Sequence, residues 1–306
     1  MRISVVIPVY NREQHLPKLF SSIKKIKGVS LEFVFVDNGS VDNSYHLCQE
    51  FGEQQSDNTI NIRVITENRK GASVARNAGM KICSGDYIYF FDSDDELSPH
   101  FFCDCMNHEG KDLIVCNTLI VSNGKEHPRK TLFPLTLEGH ILSSTLSTQS
   151  FMIKRSLIEK TGGWDEDLPR WNDWELGIRI MLQRPDIAYL NKTYHRILQH
   201  SDSITGKDFA HSYEDLMKAL QKGQHNILVS RIDQAHKTKA LNALSAKTQL
   251  LSAWLYRENR TEMSEQAYNF SRQIQTSGLF KFFSPPLHFL SKKGIRGTWL
   301  LYNKLL

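Results

Sequence analysis

The sequence predicts an α/β fold in which a mostly parallel central sheet is flanked by helices and followed by a C-terminal helical extension. Short apolar runs, typical of buried strands, alternate with helical patterns three times in the first 95 residues. This alternation indicates βαβ units with right-handed crossovers. From about residue 209 onward, apolar residues recur at three- and four-residue spacing, which is typical of packed helices. We therefore expect a sheet domain over residues 1–208 and a helical region with a basic amphipathic tail over residues 209–306.

Each element follows from its local pattern. Strands are predicted where apolar residues run together, and helices where they recur at every third or fourth position. A polar loop or hairpin is expected over residues 122–136, and Gly223 is expected to interrupt the C-terminal helices. The predicted strands are 3–9, 31–36, 61–66, 87–91, 111–121, 150–153, 187–190 and 193–199, and the predicted helices are 14–25, 44–51, 72–82, 156–160 and one that begins near Asn172 or Asp173.

The composition is that of a soluble globular protein, with 306 residues, 40% hydrophobic and 23% charged. The five cysteines are scattered and odd in number, which favours reduced thiols and a cytoplasmic location. The first residues lack the apolar core of a signal peptide, and no stretch reaches the roughly 18 apolar residues that a spanning helix needs. We expect a cytoplasmic protein, either free or at the inner face of the cytoplasmic membrane.

The net charge of +5 originates in the last part of the chain. Residues 277–306 contain five lysines or arginines and no acid, whereas the residues before them contain 33 basic and 33 acidic side chains. A basic amphipathic tail of this kind either lies on an anionic membrane surface or docks on the protein body as a terminal helix. The sequence leaves both arrangements open. We expect no nucleic-acid partner.

Polar residues follow three of the predicted strands. They are Tyr10, Asp37 and the run from Asp92 to Asp95, which contains three carboxylates in four residues. In open α/β sheets, ligands bind beyond the carboxyl ends of the strands, so we expect these side chains to meet at one edge. Carboxylate oxygens on Asp92 and Asp94 suit Mg²⁺ or Mn²⁺, which also takes phosphate oxygens.

The acidic run has a structural alternative, namely a loop that caps the next helix through Asp95 or Ser98. The usual nucleotide motifs are absent, since no G-x-G-x-x-G follows the first strand and no G-x-x-x-x-G-K-[ST] occurs. A classical dinucleotide-binding fold and a P-loop kinase are therefore disfavoured. A nucleoside diphosphate would have to be held by a metal ion and arginine.

Two further residues are candidates for chemistry. Asp173 lies among tryptophans, and desolvation by aromatic neighbours raises the pKa of a carboxyl group toward the range of a general base. The alternative is an acid that interacts favourably with the helix dipole. His200 is either a metal ligand or phosphate contact, or a structural histidine.

With these residues in view, the chain resembles a family 2 glycosyltransferase of the GT-A fold, whose central sheet is Rossmann-like. The resemblance covers about residues 1–205 and leaves the helical part uncovered. Each motif is loose alone, but together, in the family's order and spacing, they are specific. The motifs are Ile7-Pro8-Val9-Tyr10-Asn11, Val36-Asp37-Asn38-Gly39-Ser40 with Asp42, Gly71 and Ala75-Arg76-Asn77-Ala78-Gly79, Gly85-Asp86-Tyr87-Ile88 leading into Asp92-Ser93-Asp94-Asp95, and Asn172-Asp173-Trp174-Glu175-Leu176 with Arg179.

The resemblance implies a nucleotide-sugar donor, with a UDP-sugar expected, and transfer with inversion at the anomeric carbon. Asp37 matches the acid that contacts the nucleotide base, in a pocket walled by Pro8 and Tyr10. Arg76 matches the arginine that lies beside the donor. The implied acceptor is a hydroxyl group of a glycan or lipid-linked saccharide in cell-surface polysaccharide or glycolipid synthesis.

The resemblance also implies a divalent metal, Mn²⁺ or Mg²⁺. Asp92, Ser93 and Asp94 match the DxD motif, whose residues bind the ribose and the metal. His200 resembles a histidine that follows the base in sequence and approaches the metal or the diphosphate. The implied metal ligands are thus Asp94, Asp92 and His200.

Asp173 matches the second residue of the family's acidic pair, the general base. The first residue of that pair is Asn172 here, a departure that keeps open a non-catalytic sugar-nucleotide-binding or scaffold protein. A nucleotidyltransferase on a similar sheet is the enzymatic alternative. Such enzymes usually carry a glycine-rich, lysine-containing loop after the first strand, and Asn11-Arg12-Glu13 is not such a loop.

Overall fold

The computed structural model describes residues 1–57, 59–131, 134–199 and 210–306. The chain divides into two compact units that are interleaved in sequence. The sheet unit comprises the described residues of 1–131, 146–169 and 183–199, and the helical unit comprises those of 134–145, 170–182 and 210–306. The predicted α/β fold class is confirmed. The predicted domain boundary at residue 208 stays a prediction.

The sheet unit contains one sheet, and its described strands are β1 (Ile3–Val9), β2 (Leu31–Asp37), β3 (Ile60–Thr66), β4 (Tyr87–Phe90), β5 (Leu113–Ser122), β6 (Lys125–Arg129), β7 (Phe151–Lys154) and β8 (Ile187–Gln199). They lie in the order β3-β2-β1-β4-β7-β5-β6, and β8 pairs with β5. Strands β1 to β4 are parallel to one another, whereas β7 is antiparallel to both of its neighbours. The two predicted strands 187–190 and 193–199 are one strand, β8, with register shifts opposite Cys116 and Asn117.

The described helices are α1 (Leu16–Ile23), α2 (Ser44–Gln55), α3 (Ala72–Ile82), α4 (Phe101–Met106), α5 (Leu137–Ser143), α6 (Arg155–Lys160), α7 (Asn172–Leu182), α8 (Tyr213–Val229), α9 (Gln234–Arg257), α10 (Thr261–Ile274), α11 (Gly278–Lys292) and α12 (Thr298–Leu305). Helices α1 to α4 and α6 belong to the sheet unit. Helix α3 lies so close to the sheet that a Cβ atom on Gly79 would clash with Val6 and Val36. This close approach fixes the direction in which α3 points its polar residues.

The core of the sheet unit is aromatic. Every residue of β4 is buried, and Tyr89 packs against Phe101 with ring centroids 4.8 Å apart. In the same core cluster, Phe20 of α1 stacks on Phe51 of α2 at 4.0 Å. Burial of several aromatic rings holds the strand ends in fixed positions, and these ends carry the candidate site.

The helical unit is organised around α9, on which α5, α8, α10, α11 and α12 pack. The sequence analysis expected Gly223 to interrupt the C-terminal helices. This prediction is wrong, since Gly223 lies inside α8. A Cβ atom there would lie 3.1 Å from Cδ1 of Ile178 and 3.2 Å from Cη2 of Trp174. Glycine is used at this position because α7 approaches α8 closely, and neighbouring residues with good helix propensity outweigh its cost.

The C-terminal tail forms α11 and α12. None of the helices described for this chain is both long and apolar enough to cross a membrane. All five cysteines are free thiols. Burial raises the pKa of the Cys48 thiol to about 12, so it is protonated and unreactive.

Candidate active site

The loops that follow β1 and β2 are joined by hydrogen bonds. The backbone N–H of Asn11 donates to Oγ of Ser40 at 3.0 Å, and the backbone N–H of Val41 donates to Oδ1 of Asn11 at 2.9 Å. Asn11 adopts a left-handed conformation with φ of 51°, which asparagine tolerates better than most residues. Pro8 lies in β1 just before this turn, and the Tyr10 side chain is 47% exposed.

Asp37 ends β2 and is paired in register with Val9 of β1. Its carboxylate is buried, and Oδ2 accepts hydrogen bonds from the backbone N–H groups of Gly39 and Ser40, both at 3.2 Å. Its other oxygen, Oδ1, is buried without a hydrogen-bond partner among the described residues. A buried acceptor left without a partner costs free energy, so Oδ1 is a candidate contact for a ligand N–H group.

Arg76 connects α3 to the end of β4. Its Nη2 donates to Oδ1 of Asp92 at 2.7 Å, and its guanidinium lies 4.4 Å from the ring centre of Trp164. The Trp164 backbone is held in turn by Asn77, whose side chain accepts from its N–H at 2.9 Å and donates to its carbonyl at 2.8 Å. Nε of Arg76 is buried and has no partner among the residues described. The guanidinium is thus fixed by an ion pair and an aromatic face.

Gln149 is a site residue that sequence analysis missed. Its Nε2 donates to Oδ2 of Asp92 at 2.6 Å and to Oδ2 of Asp95 at 2.6 Å. Gln149 precedes β7, and because β7 is antiparallel to β4, the start of β7 lies beside the end of β4. Nothing in the sequence distinguishes an antiparallel strand here from a parallel one.

Asp95 is the buried member of the acidic run. Its Oδ1 accepts the backbone N–H of Leu198 at 2.7 Å, which fixes the end of β8. Burial raises the pKa of Asp95 well above its ordinary value, and the charges of Asp92 and Asp94 raise it further. The capping alternative is wrong, since the next helix, α4, has His100 at its N-cap and no side-chain cap.

Asp94 is paired with a cation. Its Oδ2 lies 3.2 Å from Nη2 of Arg12, which follows β1. Ser93, between the two carboxylates, is buried. The sheet unit therefore brings Arg12, Arg76, Asp92 and Asp94 together with Gln149.

The carboxylates of the DxD motif provide the type of donor atom that a divalent cation binds. Asp92 and Asp94 offer hard oxygens, and Mg²⁺ is usually held by one or two carboxylates together with substrate phosphates. In the described part of the chain, no group of three His, Cys, Asp or Glu side chains is placed to hold a metal ion. His200, the third predicted ligand, lies outside the described residues. Asp92 and Asp94 alone would hold such an ion only if oxygen atoms from elsewhere, such as phosphate oxygens, completed its coordination.

Asp173 lies in the helical unit, in the first turn of α7. It is half-buried, and its Oδ1 accepts the backbone N–H of Trp174 at 2.8 Å. Trp171, just before the helix, has a φ of 52°, which is unusual for a bulky side chain. Lys247 Nζ lies 4.9 Å from the ring centre of Trp171. The start of α7 is thus an irregular, tightly held turn.

Glu175, the other acid among the tryptophans, is structural. It is 1% exposed and forms two hydrogen bonds with Arg179, both at 2.7 Å. Asn226 of α8 donates a third hydrogen bond to it at 2.7 Å. With these partners, Glu175 holds α7 against α8 within the helical unit.

Comparison with known proteins identifies the family. The sequence model of Glycosyl transferase family 2 matches residues 4–162, which is more than half of the chain. The chain belongs to glycosyltransferase family 2. The match covers Asp37, Arg76, Asp92 and Asp94, together with Gln149, and it ends before Asp173.

Two relatives illustrate the breadth of this family. The uncharacterized glycosyltransferase YibD of Escherichia coli K12 is 31% identical over 119 residues, which are 38% of this chain and 33% of YibD. The chondroitin synthase of Escherichia coli is 25% identical over 226 residues, which are 72% of this chain and 32% of the synthase. This family 2 chain spans a third or less of the length of the first curated relatives it matches.

Among solved structures, Staphylococcus aureus TarS (residues 1–349), in complex with UDP-GlcNAc, has the same fold. The TM-score is 0.71 at 21% sequence identity, and the alignment covers 99% of this chain and 91% of TarS. The predicted GT-A fold is thus confirmed for this family 2 chain.

Proposed function

We propose that this protein is an inverting glycosyltransferase that moves a sugar from a nucleoside-diphosphate sugar to a hydroxyl acceptor. The observation that carries the proposal is the cluster of Arg76, Asp92 and Gln149 at the carboxyl end of β4. All three residues lie in the part of the chain that matches the family 2 model. Two buried polar atoms in the same part of the chain, Oδ1 of Asp37 and Nε of Arg76, have no hydrogen-bond partner among the described residues. Preorganised charge of both signs at this edge suits a diphosphate that must be bound and released.

The proposed donor is a UDP-sugar. TarS, which shares the fold, is solved with UDP-GlcNAc, and this supports the proposal. In the proposal, Oδ1 of Asp37 accepts a hydrogen bond from the nucleotide base, and Pro8 and Tyr10 line the base pocket. A carboxylate acceptor suits a base that presents an N–H group at its edge, which uracil, thymine and guanine all do, so the choice of UDP follows the TarS complex.

Arg76, Ser93 and Asp92 are the proposed contacts to the rest of the nucleotide. Asp92 accepts from the ribose hydroxyls, and Ser93 supports this contact from its buried position. Arg76 lies beside the diphosphate, where its unpaired Nε can donate to a phosphate oxygen. These roles are carried over from the family motif.

The proposed metal, Mn²⁺ or Mg²⁺, is held by Asp94 and Asp92, with His200 as a further ligand. When bound, the metal neutralises charge that develops on the leaving nucleoside diphosphate. Arg12, now 3.2 Å from Asp94, would share that carboxylate with the ion. We propose that sugar transfer by this protein depends on the divalent metal.

Asp173 is the proposed general base. The acceptor hydroxyl has a pKa far above 7, so it needs a proton acceptor as its oxygen attacks the anomeric carbon. Asp173 takes this proton while the bond from the anomeric carbon to the diphosphate oxygen breaks. One displacement inverts the configuration, and no protein nucleophile is required. Asn172, beside it, cannot take the proton.

The proposed acceptor is a glycan or lipid-linked saccharide in cell-surface polysaccharide or glycolipid synthesis, with the protein at the cytoplasmic face of the membrane. The relative named chondroitin synthase supports a polysaccharide product. Asn172 favours the second candidate, a non-catalytic sugar-nucleotide-binding or scaffold protein. The two candidates share the donor site and differ in turnover.

Calorimetric titration with UDP, GDP and dTDP, each with and without Mn²⁺, tests the donor site. We expect metal-dependent binding of UDP in preference to GDP, and a roughly 10- to 100-fold loss with Asp37→Asn, since this change removes a charged acceptor. Asp186→Asn is the matched control, because Asp186 is an exposed partner of Lys111. Absence of binding by all three nucleotides would overturn the proposal.

A further inference from the structure

Helix α11 buries polar side chains and exposes large apolar ones, which is the reverse of the usual arrangement. The side that packs within the helical unit carries Ser284, His288 and Ser291 along with Phe280. The opposite side exposes the large apolar residues, which are Leu279 (70% exposed), Phe282 (74%), Phe283 (48%) and Phe289 (58%). A surface helix ordinarily turns its aromatic residues inward and its serines outward.

The inner face of α11 is fixed by hydrogen bonds. Oγ of Ser284 accepts from Nε2 of Gln249 at 3.3 Å and from Nε2 of Gln275 at 3.1 Å. Nε2 of His288 lies 3.0 Å from Oγ of Ser252. These buried polar contacts specify the rotation of α11 about its axis, because a rotated helix would leave them unpaired.

The outward face of α11 forms a continuous stripe. At about 100° per residue, Leu279, Phe282, Phe283, Pro286 and Phe289 fall within a sector of about 120°. Beyond α11, Ile295, Leu300 and Leu301 are also 44% to 50% exposed. Seven of the 13 exposed large hydrophobic side chains among the described residues lie between 279 and 301, so they are concentrated in one segment of the chain.

Cations border the stripe. Residues 277–306 carry five basic side chains and no acid. Nζ of Lys293 lies 5.6 Å from the ring centre of Phe289, and Nζ of Lys292 lies 4.4 Å from that of the exposed Tyr256. The ammonium groups thus lie at the level of exposed rings, as they do where a helix lies in a membrane interface.

We propose that α11 and α12 form an in-plane docking surface for an anionic lipid bilayer. The apolar stripe enters the boundary between headgroups and acyl chains, and the lysines contact lipid phosphates. The charge decides the occupant, because a segment with five cations and no acid matches an anionic headgroup layer and repels a second copy of itself. The hydrogen-bonded inner face keeps the helix docked while the aromatic face binds lipid.

Vesicle co-sedimentation with the full chain tests this surface without any sugar donor, so its outcome is separate from that of the transferase proposal. We expect binding to mixed phosphatidylglycerol–phosphatidylcholine vesicles, weaker binding to phosphatidylcholine alone, and weakening by salt. The double variant Phe282→Ser/Phe289→Ser should lose binding about tenfold or more. Lys281→Gln/Lys293→Gln should remove most of the preference for phosphatidylglycerol.

Leu228→Ser/Val229→Ser is the matched control, since these residues are exposed at the end of α8 and lie outside the stripe. It should bind as the parent does. Thermal unfolding should be unchanged in all three double variants, because the substituted side chains are exposed. No binding to anionic vesicles by the parent, or equal binding by Phe282→Ser/Phe289→Ser, overturns the proposal. Self-association that the same phenylalanine variant abolishes, without vesicle binding, would assign the stripe to a second copy.

Discussion

The carboxamide nitrogen of Gln149 lies 2.6 Å from Oδ2 of Asp92. The same nitrogen lies 2.6 Å from Oδ2 of Asp95, so each of its two hydrogens serves one carboxylate. Arg76 takes the other oxygen of Asp92 at 2.7 Å. The DxD carboxylate that is proposed to meet the ribose is therefore held from two sides by neutral and cationic donors. A neutral amide between two acids reduces their repulsion and keeps their spacing.

Gln149→Leu should lower kcat/KM for sugar transfer. The change keeps a similar volume but removes both donated hydrogen bonds, and a hydrogen bond to a charged group contributes about 1.5–3 kcal/mol. We expect a roughly 10- to 100-fold loss, together with weaker binding of nucleotide in calorimetry. Gln54→Leu, at an exposed position of α2, is the control and should behave as the parent. Unchanged kinetics for Gln149→Leu would mean that Asp92 needs no fixed partner.

Removal of the metal should abolish the stabilisation that UDP gives. Anything that binds the folded state raises the melting temperature, so UDP with Mn²⁺ should shift it upward in the parent. Chelator should cancel the shift, and Asp94→Ala should not show it. The unliganded Asp94→Ala protein should remain folded, because the change removes one charge from an acidic cluster. A shift by UDP that survives chelator would contradict the proposed metal role.

Glu175→Gln should destabilise the protein, whereas Asp173→Asn should not. Glu175 is buried and paired with Arg179, and removing one partner of a buried ion pair costs roughly 3–5 kcal/mol. Asp173 is half-buried at the helix start, where its loss costs less. Urea unfolding of the two variants, side by side, measures the difference. Equal free energies of unfolding for the two variants would contradict the assignment of a structural role to Glu175 and a catalytic role to Asp173.

The stability of the helical unit should fall as the pH is lowered from 6.5 to 4. Burial, and next the charge of Lys292, lowers the pKa of His288 from 6.5 to about 4. Between these values the unfolded chain binds the proton and the folded chain does not, so the free energy of unfolding decreases as pH falls. The stability that the neutral imidazole contributes is fully present above pH 6.5.

Thermal unfolding of the parent and of His288→Gln across this pH range checks the assignment. On acidification, the melting temperature of the parent should fall more than that of His288→Gln. The difference between the two melting temperatures should therefore become smaller. His225→Gln, at an exposed position of α8, is the control and should follow the parent. Parallel curves for the parent and His288→Gln would mean that another group causes the pH dependence.

The sequence predicted the parallel half of the sheet well because its information is local. Each apolar run ends in a polar loop, and carboxyl ends of parallel strands must meet at one edge, which placed Asp37 and Asp92 on the same side. Gln149 was missed because its position depends on the direction of β7, which no local pattern encodes. Gly223 was misjudged because the close approach of two helices outweighs the helix propensity of a single residue.

The tail was predicted only in outline. Its charge and its amphipathic pattern were readable, but either face of α11 could have been the buried one. The hydrogen bonds of Ser284 with Gln249 and Gln275 decide this, and the bond with Gln249 joins residues that are 35 positions apart in the sequence. Long-range polar contacts of this kind cannot be inferred from periodicity.

Release of nucleoside diphosphate tests whether this protein catalyses sugar transfer with Asp173 as the base. The parent, Asp173→Asn and Asn172→Ala are compared with UDP-sugars, Mn²⁺ and a panel of saccharide acceptors. We expect release by the parent and by Asn172→Ala, and a loss of roughly 100-fold or more in kcat for Asp173→Asn with UDP affinity kept. Equal release by the parent and Asp173→Asn, with UDP bound equally well, would contradict the proposed role of Asp173.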